Sequence, residues 1–371
     1  MTDPLAGRRV EQLDARAFVV PTDAPEADGT ATWAQTTVVL ARASSGDETG
    51  LGWTYGPRGC VPVVDDLLAP EVVGTDVAAV PAAWTAMNRA ARNATVTGIA
   101  GYAISAVDTA LWDLKARVLG TSLAGLFGAL RDEVPIYGSG GFTTYDDERT
   151  REQVADWVRE LGIPRVKIKI GESDGTEEGR DQHRARLVRE TIGPDAELYV
   201  DANGGYTAKQ ALRVMTDLAD LDIRWLEEPV SSEDLAGLAL VRSRSAADVA
   251  AGEYGPDVTY FRRMCAAGAV DCLQVDATRA GGYTGWFRAA AVAAAYNIEV
   301  SAHCAPHLHA PAAAATPNLR HVEWFHDHQR IEARLLQGGL DPSGGVIRVH
   351  RDRPGHGYEL ASPIHGGESW Q

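Results

Sequence analysis

The sequence predicts an α/β protein in which a parallel barrel carries the chemistry and a smaller domain with an antiparallel sheet precedes it. Three observations predict this. From about residue 133 short apolar runs alternate with polar amphipathic stretches, the runs end in charged or polar residues, and one interval repeats: Glu227 lies 26 residues after Asp201, and Glu253 a further 26 after Glu227. Such an interval suits parallel strands, whose ends must be joined by a crossover of about a dozen residues or more. In a closed parallel barrel the strand ends share one mouth, where catalytic groups gather. The 371 residues, 45% of them hydrophobic, suffice for one barrel and one smaller domain.

The N-terminal part reads as strands over 14–21, 36–43 and 51–55, the last two flanking the turn-rich stretch 44–50. The connections 21–30 and 56–62 are polar and rich in Gly and Pro, which suits mobile loops able to cover a ligand. Trp53, Tyr55 and Arg58 are weighed as substrate contacts, with a structural role favoured. Helical segments follow near 62–70, 80–93 and 100–118. In the last, Ala103, Val107, Ala110, Leu111 and Leu114 share one face at three- and four-residue steps. Asp108, Asp113 and Lys115 occupy the remainder, and a solvated face is expected for them.

Eight strands are expected from Val134 onward, with helices near 148–161, 177–191, 207–219, 232–244 and 257–268. Their ends carry Lys167 and Lys169, Asp201 and Asn203, Glu227, Glu253, Asp276, His303 and Glu323. The alanine-rich stretches 289–295 and 312–315 read as tightly packed helices. The tail from Ile331 has a strand-and-turn pattern over 344–349 and 354–358 and is expected to return to the N-terminal domain. The domains are therefore 1–132, 133–330 and the returning segment 331–371.

Composition excludes several functions. With 35 basic against 51 acidic residues the formal charge is −16, which opposes sequence-independent binding to nucleic acid or an anionic membrane. No run approaches membrane-spanning length and the first residues lack an apolar signal-peptide core, so a cytoplasmic location is expected. Cys60, Cys265, Cys272 and Cys304 are too few and scattered for a disulfide scaffold or a Cys-based zinc site, and reduced thiols are expected.

Alternation along a strand places Lys167 and Lys169 on one face and Val166, Ile168 and Ile170 on the other. It also places Asp201 with Asn203 and separates Glu227 from Glu228. Charges grouped in this way cannot form an apolar core, because unpaired buried charge is costly. Asp201, Glu227 and Glu253 should converge at the mouth. Three hard oxygen ligands with room for water and substrate describe an octahedral Mg²⁺ site better than a Zn²⁺ site.

With these residues in place the sequence resembles the enolase superfamily, in its mandelate racemase subgroup, over nearly the whole chain. The resemblance rests on Val-Asp-Ala-Asn at Asp201, Trp-Leu-Glu-Glu-Pro at Glu227, Ala-Gly-Glu at Glu253, Lys-Ile-Lys at Lys167 and Lys169, Asp276 in Val-Asp-Ala-Thr-Arg-Ala-Gly-Gly, and Ser-Ala-His at His303. The segment 101–114 resembles the linking helix of that family. The resemblance implies a (β/α)7β modified TIM barrel with an α+β capping domain built from both termini, and a homo-oligomer. It implies metal ligation by Asp201, Glu227 and Glu253 with Glu228 behind them, and Lys169 as a base, with Lys167 leaning on the substrate carboxylate. It also implies an Asp276–His303 dyad, and Glu323 as a protonated hydrogen-bond donor to the enolate. Arg279 stands where many relatives have Lys. A Lys at position 276 would have indicated the muconate cycloisomerase or dipeptide epimerase branch.

The implied function is Mg²⁺-dependent abstraction of the α-proton of a small carboxylate through an enediolate, completed as dehydration of a sugar acid to a 2-keto-3-deoxy acid. The alternatives are a racemase or epimerase of a 2-hydroxy acid, and a non-catalytic binding relative. Selectivity is expected in the loops near 21–30 and 53–60 and in Tyr137 and Ser139.

Overall fold

The computed structural model describes residues 4–361, so positions 362–371 of the expected C-terminal segment lie outside the described residues. Strands β1 (Gln12–Ala27), β2 (Thr32–Ser45) and β3 (Glu48–Tyr55) form an antiparallel sheet in that order. Alternation gives the sheet two apolar faces. Val38, Leu40, Leu51 and Trp53 join the barrel's core, while Leu13, Ala15, Val39, Ala41 and Ala43 pack beneath helices that include Val80–Ala90 and Ile99–Val118. The long helix lies so close to β3 that a Cβ on Gly52 would sit 2.2 Å from the Ala106 carbonyl oxygen.

Eight parallel strands close the barrel: β4 (Glu133–Gly140), β5 (Arg165–Lys169), β6 (Glu197–Asp201), β7 (Ile223–Glu227), β8 (Asp248–Ala251), β9 (Cys272–Val275), β10 (Glu299–Ala302) and β11 (Leu319–Phe325). They pair in sequence order, and β11 pairs with β4. This is the expected (β/α)7β barrel with its antiparallel cap. The helices after the strands begin at residues suited to cap them. Asp146, Asp234 and Asp257 accept from backbone N–H groups of the first turn, and Thr207 forms a capping box with Gln210. Outward-facing Val166, Ile168, Val200 and Leu226 pack in the main core, whereas Tyr137, Tyr199, Trp225, Ala250 and Cys272 fill a layer inside the barrel. Lys167, Lys169, Asp201 and Glu227 also face inward, above that layer.

Four expectations change. The stretch 21–30 is mostly strand: β1 pairs with β2 as far as Ala27↔Thr32, with a bulge between Pro21 and Glu26. Its tip rests on the barrel mouth, where a Cβ on Gly29 would lie 2.6 Å from Ala202 O and 2.9 Å from the carbonyl oxygens of Gly171 and Ile170. Asp108 and Asp113 are fully buried rather than solvated, and Lys115 is half-buried with its ammonium on Ala78 O. Asp108 accepts from the backbone and hydroxyl of Thr284. Asp113 accepts from the N–H groups of Leu51 and His356 and from Arg117 Nε. These acids tie the long helix to the barrel, β3 and the tail, which periodicity alone did not reveal.

The tail does more than return to the cap. Its strand β13 (Val346–Arg348), preceded by β12 (Leu336–Gln337), adds antiparallel to the start of β4. The chain then reaches the cap through His356, whose Nε2 bonds Leu51 O, and Arg117, which binds Tyr358 O and Glu359, before β14 (Glu359–Leu360) pairs with β12. The expected boundary at 330 falls inside the helix His326–Leu335. That helix belongs to both halves, because Glu332 accepts from Trp53 Nε1 and the Tyr55 hydroxyl. No helix among the described residues is long and apolar enough to cross a membrane.

Replacing Asp113 by Ala leaves Arg117 Nε and the backbone amides of Leu51 and His356 without their acceptor and should destabilise the fold by about 3–5 kcal/mol, read as a lowered denaturant midpoint. Gly29→Ala should weaken docking of the hairpin tip by about 1–3 kcal/mol. The checks are faster amide exchange over residues 24–34 and a raised KM, with the thermal midpoint of the barrel unchanged.

Candidate active site

Register builds the centre of the mouth. Lys169 pairs with Asp201 between β5 and β6, and Asp201 with Glu227 between β6 and β7, so these three side chains enter the barrel at one level. The other groups sit just past their strands: Glu253 two residues beyond β8, Asp276 one beyond β9, and His303 one beyond β10. The chain turns sharply there, and Asn203, Glu228, Cys304 and Ala305 all have positive φ, between 38° and 52°. Such backbone costs on the order of 1–3 kcal/mol per residue and persists only where surrounding structure enforces it.

Asp201, Glu227 and Glu253 are buried, and each places an oxygen within 4.8 Å of the other two. Lys169 Nζ lies 2.5 Å from Asp201 Oδ2. Lys167 Nζ lies 2.5 Å from Glu227 Oε1, 2.7 Å from Glu323 Oε1 and 3.3 Å from Asp201 Oδ2. Six buried carboxylates, with Glu228, Asp276 and Glu323 counted, face the three cations Lys167, Lys169 and Arg279. Burial, reinforced by neighbouring Asp201, raises the Glu227 pKa to about 8. Burial and then Glu253 raise Glu228 well above the usual carboxylate range. Glu253 Oε2, Glu228 Oε1 and Asn203 Oδ1 are buried and make no hydrogen bond. Hard oxygens with spare lone pairs and excess negative charge fit a divalent cation of the Mg²⁺ type.

His303 is held by Asp276 from behind. His303 Nδ1 lies 2.7 Å from Asp276 Oδ2, whose other oxygen accepts from Thr278 N. That contact leaves Nε2 toward the mouth, 3.4 Å from Glu253 Oε2 and 3.2 Å from Cys304 Sγ. Burial would lower the His303 pKa, but Glu253 and Asp276 outweigh it and raise it. His309 is structural: its Nε2 accepts from Ala277 N and its Nδ1 faces the carbonyls of Cys304 and Ala305, bracing both turns. His307 is also satisfied, between Glu332 and Leu340 N.

Lys167 is fully buried under the carboxylates, where its Nζ ties Glu227 to Glu323. Glu323 accepts from Ser139 Oγ, Lys167 Nζ and Cys304 N. Burial would raise its pKa, yet Lys167 and His303 hold it well below the usual range, so it is an ionised acceptor rather than a protonated donor. For Lys169, burial favours the neutral amine and the Asp201 contact overrides it, keeping the ammonium.

The cavity above these groups has a volume of about 420 Å³, a normal size for a small-molecule site. Its far wall comes from the cap and from the start of the last helix: Trp33, Gln35, Tyr55, Asp327 and His328. Tyr55 stacks on His328 with ring centroids 3.3 Å apart. Of the other proposed selectivity residues, Trp53 is buried in the core and Arg58 is exposed outside the cavity. Tyr137 lies in the layer beneath the lysines, and Ser139 is bound to Glu323. Sequence reading missed Trp33, Gln35, Asp327 and His328. The available signal was the pair Asp327-His328, two and three residues past the last barrel strand.

Two family models match the chain. Residues 15–128 match the mandelate racemase / muconate lactonizing enzyme N-terminal domain, and residues 149–363 match the enolase C-terminal domain-like family. The 3,6-anhydro-alpha-L-galactonate cycloisomerase of Streptomyces coelicolor is 33% identical over 84% of this chain and 85% of its own length. A solved mandelate racemase/muconate lactonizing enzyme-like protein from Rubrobacter xylanophilus is 47% identical, with TM-score 0.93 over 97% of this chain and 99% of that one. The L-talarate/galactarate dehydratase of Salmonella typhimurium, solved with Mg and L-lyxarohydroxamate, is 26% identical with TM-score 0.89 over 99% and 94% of the two chains. The curated relatives include dehydratases, cycloisomerases and an epimerase.

A buried carboxyl lies behind Trp33 of the cavity wall. Trp33 Nε1 donates to Glu26 Oε2 at 2.8 Å, while Glu26 Oε1 is buried without a partner. Burial, with Asp327 nearby, raises the Glu26 pKa from 4.5 to about 8. A carboxyl whose folded pKa is raised favours the fold while protonated, and that contribution falls as pH rises from about 4.5 toward about 8. Glu26→Gln, which cannot ionise, should gain stability relative to the parent across that window. Unfolding midpoints measured at a series of pH values check this, and a difference that does not change with pH contradicts it.

Proposed function

We propose that this chain, which belongs to the mandelate racemase/muconate lactonizing enzyme family of the enolase superfamily, binds Mg²⁺ through Asp201, Glu227 and Glu253 and dehydrates a sugar acid to a 2-keto-3-deoxy acid. One observation carries the reading. Two groups able to move protons, Lys169 from β5 and the Asp276-backed His303 at the end of β10, enter one cavity beside the three carboxylates.

Removing a proton α to a carboxylate places a second negative charge on the substrate, so the site must be ready to stabilise charge where it develops. A bound divalent cation supplies that stabilisation as a Lewis acid. Lys169 is the base on one side. Its proton is held by Asp201, and once the charge of Asp201 is engaged, burial and the neighbouring Lys167 both lower its affinity for that proton. His303, its tautomer fixed by Asp276, presents Nε2 to take or return a proton on the other side. In dehydration one residue removes the α-proton and His303 protonates the departing hydroxide; the configuration of the substrate decides which residue starts. Lys167 and Glu323 hold the floor of the site. Relatives near 30% identity that are named as sugar-acid dehydratases support dehydration over racemisation.

Chelator-treated protein should lose turnover and recover it with Mg²⁺, and calorimetry should find one ion per chain, with binding abolished in Asp201→Ala. On the true substrate Lys169→Ala and His303→Asn should each lower kcat by about 10²- to 10⁴-fold. In D₂O the product should be a keto acid labelled at C3. Starting acid returned with inverted configuration and α-deuterium would show a racemase or epimerase instead, and wild-type rates in both variants would refute the assignment of the bases.

A further inference from the structure

The wall facing the carboxylates differs in chemistry from the floor. Its polar groups come from the β1–β2 hairpin and from the first turn after β11, and Trp33 and Tyr55 add aromatic surface. Both oxygens of Asp327 are engaged, Oδ2 by the Thr36 hydroxyl and Oδ1 by Arg330 Nη2 at 2.5 Å. Asp28 Oδ1 accepts from Thr30 N and Ala31 N at 2.7 Å each, holding the hairpin tip. Among the described residues the only Lys and Arg side chains lining the cavity are Lys169 and Arg279. Both belong to the floor: Lys169 pairs with Asp201, and Arg279 lies 3.4 Å from Glu253 Oε1 and 3.5 Å from Asp276 Oδ2.

His328 is the one imidazole in that far wall, and it is a neutral donor. Its Nδ1 accepts from Ala305 N at 3.3 Å, which leaves the proton on Nε2. Burial, assisted by His303, keeps its pKa well below the ordinary value. The far wall thus presents two carboxylates, a neutral N–H, an amide and two aromatic rings. A second carboxylate on the substrate would meet like charge there with no cation to receive it, and unpaired charge in such a place is penalised. Hydroxyl groups would find donors and acceptors instead.

Resting on the dehydratase reading above, we infer that the substrate is a monocarboxylic polyhydroxy acid, of the aldonate class, and not an aldaric diacid. Its carboxylate end lies at the Asp201–Glu227–Glu253 cluster. Its uncharged hydroxyl end lies against Trp33 and Tyr55, where His328 Nε2 donates to a substrate hydroxyl and Gln35 offers its amide. His328 and Gln35 are specificity-determining residues at the end remote from the reacting carbon.

Matched acid pairs that differ only at the terminal carbon test this: gluconate against glucarate, galactonate against galactarate, and further aldonates with their aldaric counterparts, each assayed with Mg²⁺ for the keto acid and for α-proton exchange in D₂O. The preferred aldonate should exceed its aldaric partner in kcat/KM by at least about tenfold. Gln35→Arg, a substitution at an exposed strand position, adds the missing cation and should shift the aldarate-to-aldonate ratio by at least about tenfold toward the diacid, mainly through KM. Dehydration of diacids in preference to aldonates by the unaltered protein overturns the inference and leaves the dehydratase reading standing. An unchanged ratio in Gln35→Arg overturns the placement of the hydroxyl end. Absence of both turnover and exchange with every acid in the series overturns the dehydratase reading itself.

Discussion

The structure depends on a concentration of like charge held at one level inside a closed barrel. Asp201 and Glu227 are register partners on adjacent strands, and Glu253 reaches them from just beyond the next strand. Carboxylates this close and this buried repel one another, and Lys167 and Lys169 offset part of that repulsion from the neighbouring strand. The offset is incomplete. A buried pair stabilises a fold only when its geometry and hydrogen bonds are satisfied, and here two glutamates keep buried oxygens without hydrogen bonds. The remaining negative charge suits the mouth to a divalent cation.

That constraint separates floor from roof. The floor is rigid because it hangs on strand register, and the aromatic layer of Tyr137, Tyr199 and Trp225 closes it from below. Lys167 and Glu323 are part of this support: Lys167 bridges Glu227 and Glu323, and Glu323 in turn holds Ser139 and the backbone of Cys304. The roof is assembled from remote parts of the chain. A hairpin tip pressed onto backbone carbonyls, a helix shared between cap and barrel, and a tail tied to Asp113 fix its position. Floor and roof are therefore held by different parts of the chain.

The most informative departures from expectation concern buried polar groups. Asp108 and Asp113 occupy positions that helical periodicity leaves for solvent, yet both are buried acceptors for backbone amides from other elements. Glu323 ends a strand as expected, but three donors converge on it and fix its ionised state. Lys167 shares a strand face with Lys169, yet one step deeper in the barrel it is fully buried and meets carboxylates on two sides. In each case depth and partners decided the role.

The sequence by itself determined the barrel and the convergence of its charged strand ends. Both follow from local rules: period-two alternation sets which face Lys169, Asp201 and Glu227 share, and the 26-residue interval sets how often a strand returns to the same mouth. Residues such as His303 and Glu253 were legible because they sit within two positions of a strand end. Only the tertiary structure decided which cap residues face the cavity, which carboxylate keeps its proton, and where the tail goes. Trp33 and His328 are 295 positions apart and meet only when the cap docks, and the ionisation of Glu323 depends on a lysine brought from β5. Such outcomes depend on distances between elements and on burial, which no local pattern in the chain encodes.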